Sequence, residues 1–248
     1  MATSAAPARD EPFPAAMPML LSFVAGYVDS YTYLALFGLF AAQVTGSFVI
    51  AGAELVTHDY GIAGKLLAIV AFVGAAAFTA ALIARFRHRG MAALPWILAL
   101  ETALLAIFVA IVLFGPAITG AADWHGIISG LFAAMAMGAQ SVLVRLLMKG
   151  IPQTNVMTGN MTQLGIETTD LIIAWHRAAH EPGNDVLARE LAAVRARLWI
   201  VASVALGFLT GAAAGAVAWA STGVRGAPLA VGIVGALTLW ALFRERAA

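Results

Sequence analysis

The sequence predicts an all-α, multi-pass membrane protein with six transmembrane helices and two broken or re-entrant half-helices, arranged as two inverted repeats of three spans. Of its 248 residues, 62% are hydrophobic and 11% are charged, whereas soluble domains are about 25% charged. Apolar segments long enough to cross a bilayer recur along the chain. A Thr-Gly break also interrupts the apolar sequence once in each half, which is typical of inverted-repeat transporters.

Charge and cysteine content exclude several classes of function. The net charge is +1, so no basic field points to nucleic acid. The chain has no cysteine, which rules out disulfides, thiolate metal sites and cysteine nucleophiles. His176 and His180 lack a third metal ligand at a suitable spacing, and no esterase, zinc-protease or phosphate-loop motif is present. We therefore expect no enzyme, no metal and no cofactor, and the lipid bilayer as the main partner.

A disordered tail, 1–16, is expected to precede a single membrane domain, 17–243. A helix that crosses the hydrocarbon core needs about 20 apolar residues. Six segments meet this length: 17–40, 62–84, 93–114, 126–148, 197–219 and 226–243. Two segments that are shorter or more polar, 43–57 and 153–174, are the predicted half-helices.

The positions of Lys and Arg decide whether the two half-helices cross or turn back. If both turn back and the N-terminus is inside, all positive residues except Lys65 and Arg225 lie on the cytoplasmic side. If both cross, the 14 divide into six on one side of the membrane and eight on the other, with no clear excess on either side. Cytoplasmic ends of spans are enriched in Lys and Arg, so we expect six spans with both termini in the cytoplasm.

Each half then contains three crossings, repeat 1 at 17–114 and repeat 2 at 126–243, so the second repeat enters from the opposite side. Two matches support the duplication. Gly26 and Gly138 precede the Thr-Gly breaks of their halves by nearly equal distances, and Phe72 aligns with Phe208 in a second, gapless alignment. The second repeat carries an insertion, 175–196, predicted to be a cytoplasmic loop with a short amphipathic helix from Val186 to Arg197.

This topology can be tested with single cysteines, because the chain has none of its own. A cysteine introduced at His58 should react with an impermeant maleimide from outside the cell. One introduced at His180 should react only from the cytoplasmic side. The opposite labelling pattern would overturn the six-span arrangement.

A glycine stripe lies in the fifth predicted span, where Gly207, Gly211 and Gly215 recur every fourth residue. Small residues at this spacing let two helix backbones approach closely. Packing inside the bundle and a homodimer seam are the two interpretations.

Asp29 lies near the middle of the first span, where an ionisable residue is a functional-site hypothesis. Ser22, Gly26 and Tyr33 share its helical face by spacing, and this face is expected to look into the bundle. A buried structural acid that is hydrogen-bonded to a neighbouring helix is the equally weighted alternative.

The two breaks supply most of the remaining candidate residues. Helix N-termini carry bare N–H donors and partial positive charge, so two opposed ones could bind an anion or a polar oxygen near the midplane. Thr or Asn at these positions could instead only cap the helices. The predicted solute- or ion-binding residues at and near the breaks are Asp29, Gln43, Thr45, Gly46, Ser47, Gln140, Ser141, Asn155, Thr158, Gly159 and Asn160.

Four acids are candidates for proton coupling: Asp29, Glu54, Glu101 and Glu167. Glu54 and Glu167 occupy matched positions, each nine residues after the threonine of its break. Exposure at the end of a re-entrant helix is the alternative for these two. Glu101 lies about a third of the way into the third span.

The stretches 23–30, 43–47, 136–141 and 157–162 resemble the YoaK-like family of bacterial integral membrane proteins, a domain of unknown function. The likeness extends over about 17–243. The family's usual pattern has Thr-Gly-Asn in both halves, whereas the first copy here ends in Ser47. The resemblance implies a small multi-pass protein of the bacterial inner membrane and no established substrate.

Two functions are compatible with the sequence. One is a secondary transporter or channel for a small polar or anionic solute. The other is a membrane scaffold or sensor that transports nothing and contacts a cytoplasmic partner. A polar cavity reaching Asp29, Thr45 and Thr158 would favour transport, and a dry, tightly packed centre would favour the second function.

Overall fold

The computed structural model describes residues 13–57 and 61–247, and within these ranges the chain is helical with no strand. Residues 1–12 of the predicted tail and the labelling position His58 lie outside the described residues. The helices in chain order are α1 (Met17–Ala35), α2 (Val44–Thr57), α3 (Ile62–His88), α4 (Leu94–Phe114), α5 (Trp124–Leu147), α6 (Met157–His180), α7 (Asp185–Thr222), a 3₁₀ turn (Gly223–Gly226) and α8 (Pro228–Ala247).

Five helices, namely α3, α4, α5, α7 and α8, are long and apolar enough to cross a membrane. Helix α1 has 19 residues, about the length of a span, but it buries the polar side chains of Ser22, Asp29 and Thr32. Helix α2 has 14 residues and is too short to cross. The prediction of an all-α, multi-pass membrane protein is therefore confirmed.

The first predicted span, 17–40, was too long, because α1 ends at Ala35. The chain reverses directly after it through Phe37 and Gly38, whose φ angles are 54° and 85°. The N–H of Gly38 donates to the carbonyl of Tyr33 at 2.8 Å and closes the last turn of the helix. A left-handed glycine at this place is a common helix stop.

The predicted loop at 175–196 is instead a helical hairpin. Helix α6 continues to His180, and α7 begins at Asp185 and runs without interruption for 38 residues. The reversal is confined to 181–184, where Pro182 lacks the N–H that a helix needs and Gly183 has a φ angle of 91°. The side chain of Asn184 then caps α7 by accepting from the N–H groups of Val186 and Leu187.

The glycine stripe packs inside the chain, as the first of its two interpretations expected. A β-carbon at Gly207, Gly211 or Gly215 of α7 would collide with the backbone carbonyl of Met19, Phe23 or Tyr27 of α1, respectively. The spacing is four residues on both helices, so the two backbones run in contact over two turns. The α1–α7 seam places the first half of the chain directly against the second.

Residues matched between the two halves make matched contacts. A β-carbon at Gly26 would meet the backbone carbonyl of Phe208, and one at Gly138 would meet that of Phe72. Helix α1 therefore packs on α7 as α5 packs on α3. The hydroxyls of Thr102 on α4 and Thr238 on α8 also bond each other at 2.9 Å, 136 residues apart. Phe72 and Phe208 are separated by the same interval.

Candidate functional site

Asp29 braces the turn between α1 and α2. Its side chain is 3% exposed, and Oδ1 accepts from the N–H of Ala42 at 2.7 Å. The N–H of Gln43 donates to both carboxylate oxygens at 3.1–3.2 Å. These two N–H groups lie just before α2, where no helical carbonyl is available to them. These hydrogen bonds tie the segment before α2 to α1.

The helical face that carries Asp29 is only partly internal. Ser22 is fully buried and donates to the carbonyl of Val204 on α7 at 2.7 Å, with the carbonyl of Thr154 at 3.1 Å. Gly26 lies against α7. Tyr33, predicted to share this face, is 43% exposed. The prediction was wrong at Tyr33: its neighbours Thr32 and Ala35 are buried, whereas its own ring lies against Phe40 at a centroid distance of 4.9 Å.

Ser141 and Asn160 brace the segment before α6 in the same manner. Ser141 donates to the side-chain oxygen of Gln153 at 3.2 Å, and the amide of Asn160 donates to the Gln153 carbonyl at 2.7 Å. In the first half, Ser47 donates to the carbonyl of Phe40 at 3.4 Å. Both donors reach back seven residues. The Thr-Gly-Ser and Thr-Gly-Asn breaks are therefore equivalent in structure, although Ser47 replaces the amide.

The threonines of the two breaks do not cap their helices. Thr45 and Thr158 are exposed, and α6 has no side-chain hydrogen bond at its N-cap, Val156. The side chain of Asn160 points back to the segment before α6, because its amide nitrogen donates to the carbonyl of Gln153. Gly46 lies against the ring of Phe40, where a β-carbon would be only 2.9 Å from the ring edge.

Gln140 joins the second break to α1. Its amide nitrogen donates to the carbonyl of Leu21 at 2.9 Å and to the hydroxyl of Thr154 at 2.8 Å. Gln140 and Asn155 are 0% and 3% exposed, and the side-chain oxygen of each has no hydrogen-bond partner among the described residues.

The two breaks touch α1 at different depths. The segment before the first break bonds Asp29, whereas Thr154, before the second break, bonds Ser22 and is joined to Leu21 through Gln140. Seven to eight helical residues correspond to about 10–12 Å along the axis. Helix α2 packs on α3 and α6 packs on α7, so each half-helix belongs to its own side of the bundle.

Glu54 and Glu167 both form ion pairs with the helix that follows. Glu54 Oε1 lies 2.6 Å from Lys65 Nζ on α3, and Glu167 Oε2 lies 3.2 Å from Arg197 Nε on α7. The Glu54 and Glu167 side chains are 12% and 6% exposed, so neither is the exposed helix end that was the alternative. Sequence reasoning missed both cations, because they follow their acids by 11 and 30 residues.

Glu101 stands apart from both breaks. It is 0% exposed on α4, and neither carboxyl oxygen has a hydrogen-bond partner among the described residues. Leu98 and Leu105, one turn to either side, are also fully buried. A charged carboxylate is costly in such an apolar interior, so a neutral carboxyl group fits this position.

A groove of about 440 Å³ opens beside the N-terminal half of α6. We name it the α6 groove. Its polar lining contains Asn160 of the second break, Gln163 and the Glu167–Arg197 ion pair. Gln163 donates to Glu167 at 2.8 Å, while 52% of the Arg197 side chain stays exposed. Its remaining lining residues are Gly150, Ile151, Pro152, Gly159, Ile200 and Val201. Asp29 and Thr45 do not line it.

A second space, between the start of α3 and residues 118–127, is nearly filled. It surrounds Lys65 and has a volume of about 10 Å³, room for no more than one water. We name it the Lys65 pocket, and its lining residues include Leu36, Leu39, Gly61, Gly64, Lys65 and Ile127.

Comparisons with known proteins identify the family of this chain but not its activity. No curated protein and no solved structure matches the chain. The sequence model of DUF1275, described as a protein of unknown function, matches residues 17–240. This range covers every helix from α1 to most of α8 and includes both breaks. The chain therefore belongs to the DUF1275 family, of which the YoaK-like proteins that it resembles are part.

Proposed function

We propose that this protein moves a small polar or anionic solute across the bacterial inner membrane and binds it in the α6 groove. The observation that carries the proposal is the exposed Arg197 side chain in a groove next to the N-terminal turns of α6. Glu167 engages Arg197 through Nε, which leaves the two terminal guanidinium nitrogens for a solute oxygen. A planar guanidinium with its terminal nitrogens available suits a carboxylate or phosphate group.

The proposed topology has six spans with both termini in the cytoplasm. Helix α1 supplies the sixth crossing beside the five apolar helices, and α2 and the first half of α6 turn back. The matched contacts of Gly26 and Gly138, and the Thr102–Thr238 bond, support two inverted repeats. The distribution of Lys and Arg then places the α6 groove on the cytoplasmic side.

Residues at the breaks divide into two roles in this proposal. Asn160 and Gly159 line the groove and lie next to Thr158. Asp29, Ser47, Gln140 and Ser141 hold the segments before α2 and α6 through hydrogen bonds. Of the four acids, Glu101 suits proton coupling best, because no cation or N–H donor among the described residues would hold it permanently charged.

The packed surroundings of Asp29 favour the other candidate, a scaffold or sensor. Asp29 lines neither the α6 groove nor the Lys65 pocket, and the α6–α7 hairpin beyond Glu167 presents exposed side chains such as Trp175 and Val186 to a partner. The two functions differ in one measurable property: only the transporter requires a solute to bind at Arg197.

The experiment is a solute screen by thermal stabilisation of the purified protein, repeated with Arg197→Gln. Small anions, amino acids and sugars are tested, and a ligand that binds the folded state raises the melting temperature by mass action. We expect at least one stabilising solute, and Arg197→Gln should weaken its binding by about tenfold or more, because hydrogen bonds to a charged group contribute about 1.5–3 kcal/mol.

Arg195→Gln is the matched control, since Arg195 is an exposed residue of the same helix that does not line the groove. It should leave binding unchanged. The proposal fails if no solute stabilises the protein, or if Arg195→Gln and Arg197→Gln weaken binding equally. Flux of the same solute in proteoliposomes then separates a transporter from a sensor.

A further inference from the structure

The α6 groove and the Lys65 pocket each lie at a comparable ion pair of their half of the chain. Each contains the cation partner of a matched acid, Lys65 for Glu54 and Arg197 for Glu167. Each lies beside a break whose third residue, Ser47 or Asn160, donates to a carbonyl seven residues earlier. In both cases the acid belongs to the helix that follows the break and the cation to the next helix.

The two sites differ in access. Arg197 is 52% exposed in a groove of about 440 Å³. Lys65 is 2% exposed in a space of about 10 Å³. The Lys65 ammonium has both of its partners inside the protein. Its Nζ lies 2.6 Å from Glu54 Oε1 and donates to the carbonyl of Phe37 at 3.3 Å.

We propose that the Lys65 pocket is a second binding site for the same small anion, on the outer face of the membrane, and that it is closed in this structure. This inference rests on the proposed function. In its open form Lys65 would turn from Phe37 and Glu54 to the anion, as the exposed Arg197 is placed to do. Two equivalent sites, one open and one closed, are what inverted repeats provide when they alternate between the two faces.

The parts that close the pocket are identifiable. Gly61 lets Lys65 lie flat against the start of α3, since a β-carbon there would be 2.6 Å from Lys65 Nζ and 3.2 Å from Glu54 Oε1. The turn at Phe37 and Gly38, with its two positive φ angles, covers the lysine from the other side. A buried lysine that loses its partner is strongly disfavoured, so breaking the ion pair should open the pocket.

The test uses single cysteines labelled in vesicles of known orientation by an impermeant thiol reagent. Leu39→Cys reports on the Lys65 pocket, because Leu39 is 4% exposed and lines it. Ile200→Cys reports on the α6 groove, where Ile200 is 37% exposed. In the otherwise unchanged chain, Leu39→Cys should react slowly from outside and Ile200→Cys rapidly from the cytoplasmic side.

Adding Glu54→Gln should raise the labelling rate of Leu39→Cys and lower that of Ile200→Cys, each by about tenfold. Glu190→Gln is the control, because it removes an exposed ion pair with Arg177 and should change neither rate. A rise at Leu39→Cys without a fall at Ile200→Cys would mean local loosening and would overturn the inference, as would no change at either position. Should Glu54→Gln fail to fold, Gly61→Ala displaces Lys65 by a different route and must give the same reciprocal pattern.

Anion binding is tested in the same vesicles with phosphate and acetate as probes. In the Glu54→Gln background, one of them should slow the labelling of Leu39→Cys. If neither protects Leu39→Cys while one protects Ile200→Cys, the second site is wrong and the α6 groove stands. If no anion protects Ile200→Cys and no solute depends on Arg197, the proposed function fails, whatever the labelling pattern.

Discussion

Gly211→Ala should destabilise the protein by about 1–3 kcal/mol or more, as overpacking of a close contact does. Its β-carbon would overlap the backbone carbonyl of Phe23, and a carbonyl cannot move aside as a flexible side chain can. The same helix is fixed one turn away on either side by Gly207 and Gly215 against α1. The helices would therefore have to separate along the whole seam. The measurement is the melting temperature and the monodisperse fraction of the detergent-extracted protein.

Gly74→Ala is the matched control for this substitution. Gly74 lies inside α3, and no atom comes within 4 Å of the place where its β-carbon would be. Alanine is a better helix former than glycine by about 1 kcal/mol, so Gly74→Ala should be neutral or stabilising. Equal losses of stability in the two variants would show that the α1–α7 seam is not the cause.

Asp29→Ala should reduce stability by about 2–5 kcal/mol, because it leaves the buried N–H groups of Ala42 and Gln43 without an acceptor. Asp29→Asn keeps one side-chain oxygen and should lose less. The measurement is the melting temperature, which should fall most in Asp29→Ala and less in Asp29→Asn. Asp170→Asn on α6 is the control. Asp170 is only half-buried and has no bond to a break.

Solute binding gives the second readout for Asp29. Asp29 braces a turn and does not line the α6 groove, so Asp29→Asn should keep the affinity for any solute that Arg197 binds. A protein of unchanged stability that no longer binds the solute would contradict this and would return Asp29 to the binding site.

Sequence patterns predicted the parts of this fold that depend on local composition. Helix α4, expected at 93–114, lies at Leu94–Phe114, and α5, expected at 126–148, lies at Trp124–Leu147. Long apolar runs have only one conformation that satisfies their backbone in a bilayer, so their bounds can be predicted well. The ends at Ala35 and His180 were missed, because apolar residues continue past the first and polar residues do not stop a helix at the second.

The site was predicted only where a pattern repeats. The matched positions of Glu54 and Glu167 were visible, and so were the Thr-Gly breaks. Their partners were not, because nothing local joins Glu167 to Arg197 or Asp29 to the N–H of Ala42. The hydrogen bonds of Gln140 to Leu21 and Thr154 likewise depend on how three separate elements pack.

The bond between Thr102 and Thr238 bears on how such a chain can arise. A residue that touches its own counterpart lies on a two-fold axis, as in a symmetric dimer. Two identical half-length chains inserted in opposite directions would form this bond between two copies of one threonine. Once the two copies are joined in one gene, the two halves no longer have to carry the same side chains. A difference such as Asp29 in the first half and Ser141 in the second can then arise separately.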